Sequence, residues 1–197
     1  VSHDIEYDQI MVYEDNIELE GDRKVRSIVG ELLELMEERE AYVISRAIRS
    51  TGDLDLVGTI RFSKNALTLG PELVKRGVLV DTRMAKSGIG ELAIYRDLKS
   101  HSSKYKSIDV VDSWKDEMEG KAVLIGTSPL ALMRVLDLAE QGIVPGLVIG
   151  VPVGFVNALK AKYRLYRQHK VEYITNISVK GGVGLGVSIV RALMEIE

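Results

Sequence analysis

The residues best placed to do chemistry form a glycine-rich segment near the end of the chain, Ser178-Val179-Lys180-Gly181-Gly182-Val183-Gly184. The segment opens onto a stretch with helical periodicity, and a helix N-terminus presents free backbone N–H groups and a partial positive charge. Such a turn favours an anionic group, a phosphate or a carboxylate, and Lys180 would add a formal charge. The segment therefore predicts an anion site, although the same glycines could serve only as a tight strand-to-helix turn.

The neighbouring glycines do not complete a dinucleotide-binding motif. Residue 187 is valine where that motif requires its third glycine, and no acidic residue follows about 20 positions later to hold a ribose. The sequence also lacks a phosphate-loop lysine motif and a Gly-x-Ser-x-Gly nucleophile motif. Its three histidines, His3, His101 and His169, lack the spacing of metal ligands. No nucleotide, nucleophilic serine or metal site is predicted.

The composition of the sequence excludes several classes of protein. The net charge of −3 over 197 residues gives no long-range attraction to nucleic acid. The absence of cysteine excludes disulfides, thiolate nucleophiles and iron–sulfur clusters, and fits a reducing compartment. No apolar run reaches the roughly 20 residues that span a bilayer, and the acidic start does not resemble a signal peptide. We therefore expect a cytoplasmic protein with no membrane or nucleic-acid partner.

The elements that would position the glycine-rich segment alternate between strands and helices. Five short apolar runs predict buried strands of a parallel sheet, at 77–81, 108–111, 122–126, 147–151 and 171–174. Three- and four-residue apolar spacing predicts helices at 23–37, 40–49, 129–141, 155–168 and 183–196. The pattern indicates an α/β fold, a three-layer α/β/α arrangement around a doubly wound, mainly parallel sheet. We expect an N-terminal arm over 1–22 and a single domain over 23–197.

In open parallel sheets, ligands bind beyond the carboxyl ends of the strands. The predicted strand ends lead into 81–88, 126–129, 150–154 and 178–184. Two of these loops open directly onto helices, so their backbone N–H groups would face the same edge of the sheet. Convergence of the four loops predicts one anion-binding site there. The residues alone do not indicate which reaction, if any, takes place.

Several segments resemble the precorrin-8X methylmutase family, also called precorrin isomerases. The most specific is Val-Pro-Val-Gly-Phe-Val at 151–156. Further similar segments are the Arg-Ser pair at 26–27, the segments at 45–53 and 60–63, the Asp-x-x-Met-x-x-x-Gly-Ile loop at 81–89, the Ile-Gly-x-x-Pro segment at 125–129 and the Lys-Gly-Gly turn at 180–182. The similarity extends from about residue 23 to the end of the sequence.

The resemblance implies a flavodoxin-like fold, a homodimer with ligand sites near its interface, and a reaction without a redox cofactor. A methyl group moves from C-11 to C-12 of the corrin ring by a 1,5-sigmatropic shift, in cobalamin biosynthesis. The product would be hydrogenobyrinic acid, or cobyrinic acid if cobalt is present. Matching the family's motifs residue by residue implies these substrate-binding positions: Arg26, Ser27, Thr51, Asp53, Met84, Lys86, Ser87, Gly126, Thr127, Val153, Gly154, Lys180, Gly181 and Gly182.

The sequence departs from the family at the catalytic position. Arg49 stands where the family has the histidine thought to protonate the macrocycle, and an arginine is a poor proton donor at neutral pH. The family's Thr-Arg-Ser segment has no counterpart in 112–120; Thr127 replaces an asparagine and Val179 an arginine. Three functions stay open: a methylmutase with another acid, such as Lys86 or water; a non-catalytic tetrapyrrole binder; or an enzyme for another anionic metabolite. Arg49 could also be a surface residue without a role.

Overall fold

The computed structural model describes residues 14–197, so His3 and the first thirteen residues of the predicted arm lie outside it. The strands are β1 (Ile60–Phe62), β2 (Val78–Val80), β3 (Ala93–Ile94), β4 (Ala122–Ile125), β5 (Leu147–Gly150) and β6 (Tyr173–Asn176). The helices are α1 (Glu14–Glu34), α2 (Glu38–Thr51), α3 (Leu56–Thr59), α4 (Ala66–Lys75), α5 (Arg83–Ile89), α6 (Lys106–Asp112), α7 (Pro129–Glu140), α8 (Ala158–Arg167) and α9 (Val183–Glu195).

The sheet has six strands in the order β1-β6-β5-β4-β2-β3. β2 through β6 are parallel to their neighbours, and β1 pairs with β6 in the antiparallel direction at one edge. Numbered among themselves, the parallel strands follow the flavodoxin-like order 2-1-3-4-5. The predicted three-layer, mainly parallel fold is confirmed, with one strand more than the five expected.

Two apolar cores cover the two faces of the sheet. Alternate strand residues such as Val78, Val80 and Leu124 face the core formed with α1, α2, α4, α5 and α9. Their neighbours, such as Leu79 and Val123, face the core formed with α6, α7 and α8. Both faces of every central strand are buried, as the continuous apolar runs predict.

The predicted strand at 108–111 is wrong, because these residues form helix α6. Its β-branched run suggested a strand, but the segment lies in a short helix whose Val110 and Val111 pack into the core with α7 and α8. The two-residue β3 supplies the second strand of the parallel series instead. β1 and β3 are two or three residues long, too short for a periodic signal.

The helix boundaries shift in ways that matter for the site. α1 begins at Glu14 and ends at Glu34, so residues 14–22 of the predicted arm continue the helix expected at 23–37. α2 ends at Thr51, two residues beyond the predicted end, and the following Gly52 adopts the left-handed conformation at φ 72° and donates its N–H to the Ile48 carbonyl. At α7, Ser128 accepts a hydrogen bond from the Ala131 N–H at 3.1 Å and Pro129 occupies the first turn.

Candidate functional site

Three loops meet at the carboxyl edge of the sheet. The Gly182 N–H donates to the Val151 carbonyl at 2.7 Å, and the Gly154 N–H donates to the Val179 carbonyl at 2.9 Å. Gly126 packs directly against Val183 at the start of α9. The loops after β4, β5 and β6 therefore form one continuous surface, as the strand-end argument predicts.

Lys180 connects this surface to the loop that follows α2. Its ammonium lies 2.7 Å from an oxygen of Asp55 and 3.2 Å from an oxygen of Asp53. The hydrogen bonds to Asp55 and Asp53 raise the pKa of Lys180 above its usual value. The Lys180 ammonium, which the sequence suggested was available to a ligand, is thus paired with two carboxylates. Of these two, only Asp53 was among the predicted site residues. Thr51 lies next to this contact and accepts the Asp53 N–H at 3.2 Å.

A cavity of about 470 Å³ opens between α1 and α2 beside the same loop. That volume falls within the range of small-molecule sites. Its lining combines apolar side chains, such as Ile17, Ile28 and Leu54, with the charged residues Lys24, Arg46, Arg49 and Glu18, of which three are cations. Leu54 lies between the two aspartates that hold Lys180, so the cavity adjoins the strand-end surface. The mixture suits a ligand with an apolar body and acidic substituents.

Arg49, in the last turn of α2, lines this cavity and is partly buried rather than fully exposed. One of its terminal nitrogens donates to the Glu18 carbonyl at 3.1 Å, and its Nε is buried without a hydrogen-bond partner among the described residues. Arg46 also has a buried Nε that lacks a partner in this part of the chain, while its outer nitrogen pairs with Glu195 at 2.8 Å. Both Nε atoms are closed off from solvent, so an anionic ligand in the cavity would meet the outer guanidinium nitrogens of Arg49 instead.

Asp81 occupies the point where the strand order reverses, between the ends of β2 and β4. Ligands of flavodoxin-like folds bind at this crevice. Burial raises the pKa of the Asp81 carboxyl to about 6, and the backbone amides of Gly126, Ser128 and Thr127 offset part of that rise. Neither carboxyl oxygen accepts a hydrogen bond of normal geometry from the described residues. The protein's own carboxyl thus fills the predicted anion position after β4.

Replacing Asp81 with asparagine should change how stability depends on pH. The Asp81 carboxyl binds its proton more tightly in the folded protein than in the unfolded chain. The free energy of unfolding therefore falls as pH rises from about 4 to about 6, and above pH 6 it stays lower because the buried carboxyl is charged. The gap between the usual pKa of 3.8 and about 6 corresponds to about 3 kcal/mol. In urea titrations, Asp81→Asn should gain about 2–3 kcal/mol over wild type between pH 4 and pH 7.5. The exposed Asp116→Asn should show no such trend, and a difference independent of pH would contradict the burial of a raised-pKa carboxyl.

Of the remaining predicted site residues, some lie exposed near the strand ends, whereas the ammonium of Lys86 lies elsewhere. Thr127, Ser87, Met84 and Val153 are exposed at or near the strand ends, with Met84 at 70% and Val153 at 52%. Lys86 donates to the Ala93 carbonyl at 2.6 Å, and Ala93 pairs with Val78 at the opposite end of β2. The structure therefore places its ammonium away from the strand ends.

Arg26 and Ser27 do not line the cavity that contains Arg49. Arg26 pairs with Asp22 at 2.8 Å, and Ser27 donates to the Lys24 carbonyl at 2.7 Å. Both are exposed on α1. Sequence reasoning did not select Arg46, Asp55, Asp81 or Lys162 as site residues, although Asp81 is the last residue of the strand predicted at 77–81 and begins the loop predicted to face the ligand.

The fold and the cationic cavity beside its strand ends define a flavodoxin-like α/β protein with a candidate ligand site. The family model described as precorrin-8X methylmutase matches residues 17–196. A cobalt-precorrin-8 methylmutase of Methanocaldococcus jannaschii is 30% identical over 183 residues, covering 87% of this chain and 86% of the relative. A precorrin-8X methylmutase of Pseudomonas aeruginosa is 28% identical, covering 75% and 80% respectively.

The solved structures agree with the sequence comparisons. The crystal structure of a precorrin-8X methylmutase from Thermus thermophilus superposes with a TM-score of 0.76 at 29% identity, covering 91% of this chain and 96% of that one. The chain belongs to the precorrin-8X methylmutase family. In the described residues, no helix is long and apolar enough to cross a membrane.

Proposed function

We propose that the protein is a methylmutase that moves a methyl group from C-11 to C-12 of precorrin-8X or its cobalt form. The observation that supports this most strongly is the cavity around Arg49, whose lining residues Gly52 and Leu54 flank Asp53, an ion-pair partner of Lys180 in the glycine turn. The substrate is a large ring with carboxylates around its rim. The cavity offers apolar walls and arginine and lysine side chains, and the glycine turn nearby offers backbone amides, which suits a ring with an apolar face and acidic substituents.

The rearrangement is intramolecular: the bond from the methyl group to C-11 breaks as its bond to C-12 forms, and no atom leaves the substrate. The protein therefore needs to bind the ring, orient it and stabilise charge, for which preorganised donors are effective. A guanidinium is a poor proton donor at neutral pH, so the part of Arg49 in this proposal is to supply charge and hydrogen bonds. We assign it the position next to the ring that the family's histidine occupies.

The predicted binding residues take roles in this proposal according to their positions. Thr51 and Asp53 shape the rim between the cavity and the glycine turn, while Gly126, Thr127, Val153, Gly154, Gly181 and Gly182 form the strand-end surface. Met84 and Ser87 border that surface on α5. For Lys86 the contact with Ala93 gives no support to a role as the acid.

We further propose a homodimer formed through α1. This helix exposes the apolar residues Ile17 at 52%, Ile28 at 63% and Leu32 at 49%, and Leu35, in the turn just after the helix, is 84% exposed. Arg26 and Ser27 lie on the same helix, so a dimer could carry them to a ligand held by the second copy. Light scattering should give twice the chain mass for wild type and the single mass for Leu35→Glu; a monomeric wild type would refute the dimer.

A cytoplasmic location fits the absence of cysteine.

An absorbance assay tests the function. Purified protein is mixed with precorrin-8X, and with its cobalt form, and the spectrum is followed against a heat-inactivated control. Progressive conversion to the spectrum of hydrogenobyrinic or cobyrinic acid is the expected result. A stable spectral shift without conversion would instead indicate a non-catalytic tetrapyrrole binder. The absence of any shift with either substrate would overturn the proposal and leave another anionic metabolite as the ligand.

A further inference from the structure

Lys162 on α8 is a buried lysine to which the proposed chemistry assigns no role. Its side chain is 0% exposed, and it is the only lysine of the described residues that is buried. Burial lowers its pKa to about 8. An ammonium inside a protein is costly unless it is paired, and no carboxylate within the described residues forms an ion pair with it. An apolar residue would fit the core at lower cost, so the lysine needs a reason.

The contacts of the ammonium point to the glycine turn. Its Nζ donates to the carbonyl of Lys180 at 2.8 Å, to the carbonyl of Ser178, and to the Oδ1 of Asn176 at 3.3 Å. The Nδ2 of Asn176 donates to the same Lys180 carbonyl at 2.9 Å. All three protons of the ammonium therefore have acceptors, and two of these acceptors lie in the loop that leads to Gly181 and Gly182.

Holding these two carbonyls inward fixes the direction of the peptide groups that follow. A carbonyl and the next N–H of one peptide unit point in opposite directions, so anchoring the Lys180 carbonyl turns the Gly181 N–H the other way. The Gly181 N–H makes no hydrogen bond to any residue in the part of the chain that the structure describes. It is therefore a preorganised donor on the strand-end surface.

We propose that Lys162 is a positioning residue, which holds the Ser178–Lys180 carbonyls from beneath so that the Gly181 N–H faces a carboxylate of the substrate. This inference rests on the proposed function, because it names what the turn is built to bind. Lys162 does not touch the substrate; it acts through the backbone of the loop. The side chain of Lys180 is then free to hold Asp53 and Asp55 while its main chain serves the ligand.

The test compares Lys162→Met with Lys160→Met, a lysine on the same helix that is exposed. Amide hydrogen exchange of 178–184 and the Kd for hydrogenobyrinic acid are measured together with kcat and KM. Lys162→Met should lose protection in this loop, raise the Kd about tenfold or more and change kcat little, because it removes binding that ground and transition states share. Lys160→Met should match wild type. A folded Lys162→Met with wild-type protection and affinity would overturn the inference.

A second measurement needs no variant, in case Lys162→Met fails to fold. Loss of a proton from the Lys162 ammonium above about pH 8 leaves Nζ with two N–H donors for three acceptors. The backbone amides of 178–184 should therefore lose protection from hydrogen exchange between pH 7 and pH 9, relative to the amides of β4. Charged groups on the neighbouring elements are already paired: Lys180 with Asp53 and Asp55, Arg164 with Asp137 and Glu140, and Arg134 with Asp112. Unchanged relative protection would refute the role of Lys162, whether or not the protein converts precorrin.

Discussion

Replacing Gly181 with alanine is expected to separate the loops after β5 and β6 and to destroy the ligand surface. A Cβ atom at this position would lie 2.4 Å from the Val151 carbonyl oxygen and 3.2 Å from that of Pro152. The backbone also holds φ at 152°, a conformation that residues with a side chain rarely adopt. Because backbone atoms on both sides would have to move, the Gly182 to Val151 hydrogen bond cannot survive. We expect a loss of about 2–4 kcal/mol of unfolding free energy, measured by urea denaturation.

Gly184→Ala provides the matched control. Gly184 lies three positions further along, inside the first turn of α9, and a Cβ atom added there would have no neighbouring atom within 4 Å. Alanine is the better helix former there, so stability should rise by up to about 1 kcal/mol. Product binding should weaken at least about a hundredfold in Gly181→Ala, since the donor surface itself is lost. Equal behaviour of the two variants would mean that the turn is not built as described.

Arg49→Met is expected to weaken binding of the acidic ring strongly. The substitution removes the cation at the centre of the cavity, including a buried Nε–H that has no acceptor among the described residues, while it keeps much of the apolar stem of the side chain. The Kd for hydrogenobyrinic acid should rise about 10- to 100-fold, the usual cost of losing a hydrogen bond between charged partners. Isothermal titration calorimetry measures this directly. Arg23→Met, which removes an exposed arginine on α1, should bind like wild type.

Arg49→His should act on the chemical step instead. An imidazole with a pKa near 6.5 can donate a proton at neutral pH, which a guanidinium cannot. If Arg49 lies beside the ring, kcat should rise about tenfold or more, within the range that general acid catalysis supplies. The gain should fade as pH rises above about 7 because the imidazole loses its proton. An unchanged kcat at pH 6 would place residue 49 away from the reacting carbons.

The sequence predicted the scaffold well because its central strands are buried on both faces. β4 and β5 therefore appear as unbroken apolar runs, and α7 carries a serine cap, an N-terminal proline and a following glycine. The prediction was wrong at 108–111, where a β-branched run lies in the short helix α6 and packs Val110 and Val111 against the core. β1 (Ile-Arg-Phe) and β3 (Ala-Ile) lie in no unbroken apolar run, unlike the equally short β2, so the sequence carried no signal for them.

The candidate site was harder to predict because it depends on contacts between distant segments. Parallel-sheet geometry predicted that the loops after β4, β5 and β6 converge, and the structure joins them through the hydrogen bonds of Gly182 and Gly154. The pairing of Lys180 with Asp55 joins residues far apart in sequence. The local sequence of the helix predicted at 155–168 carries no sign that the Lys162 ammonium contacts the loop carbonyls.

A crystal structure of the protein with hydrogenobyrinic acid bound is the most direct test of the central claim, that the ring binds where the cavity of Arg49 meets the glycine turn. We expect a rim carboxylate on the Arg49 guanidinium, another on the Gly181 N–H, and the ring face against the apolar wall formed by Ile28 and Leu54. A ring bound elsewhere, with this cavity empty of any part of the ligand, would contradict the claim.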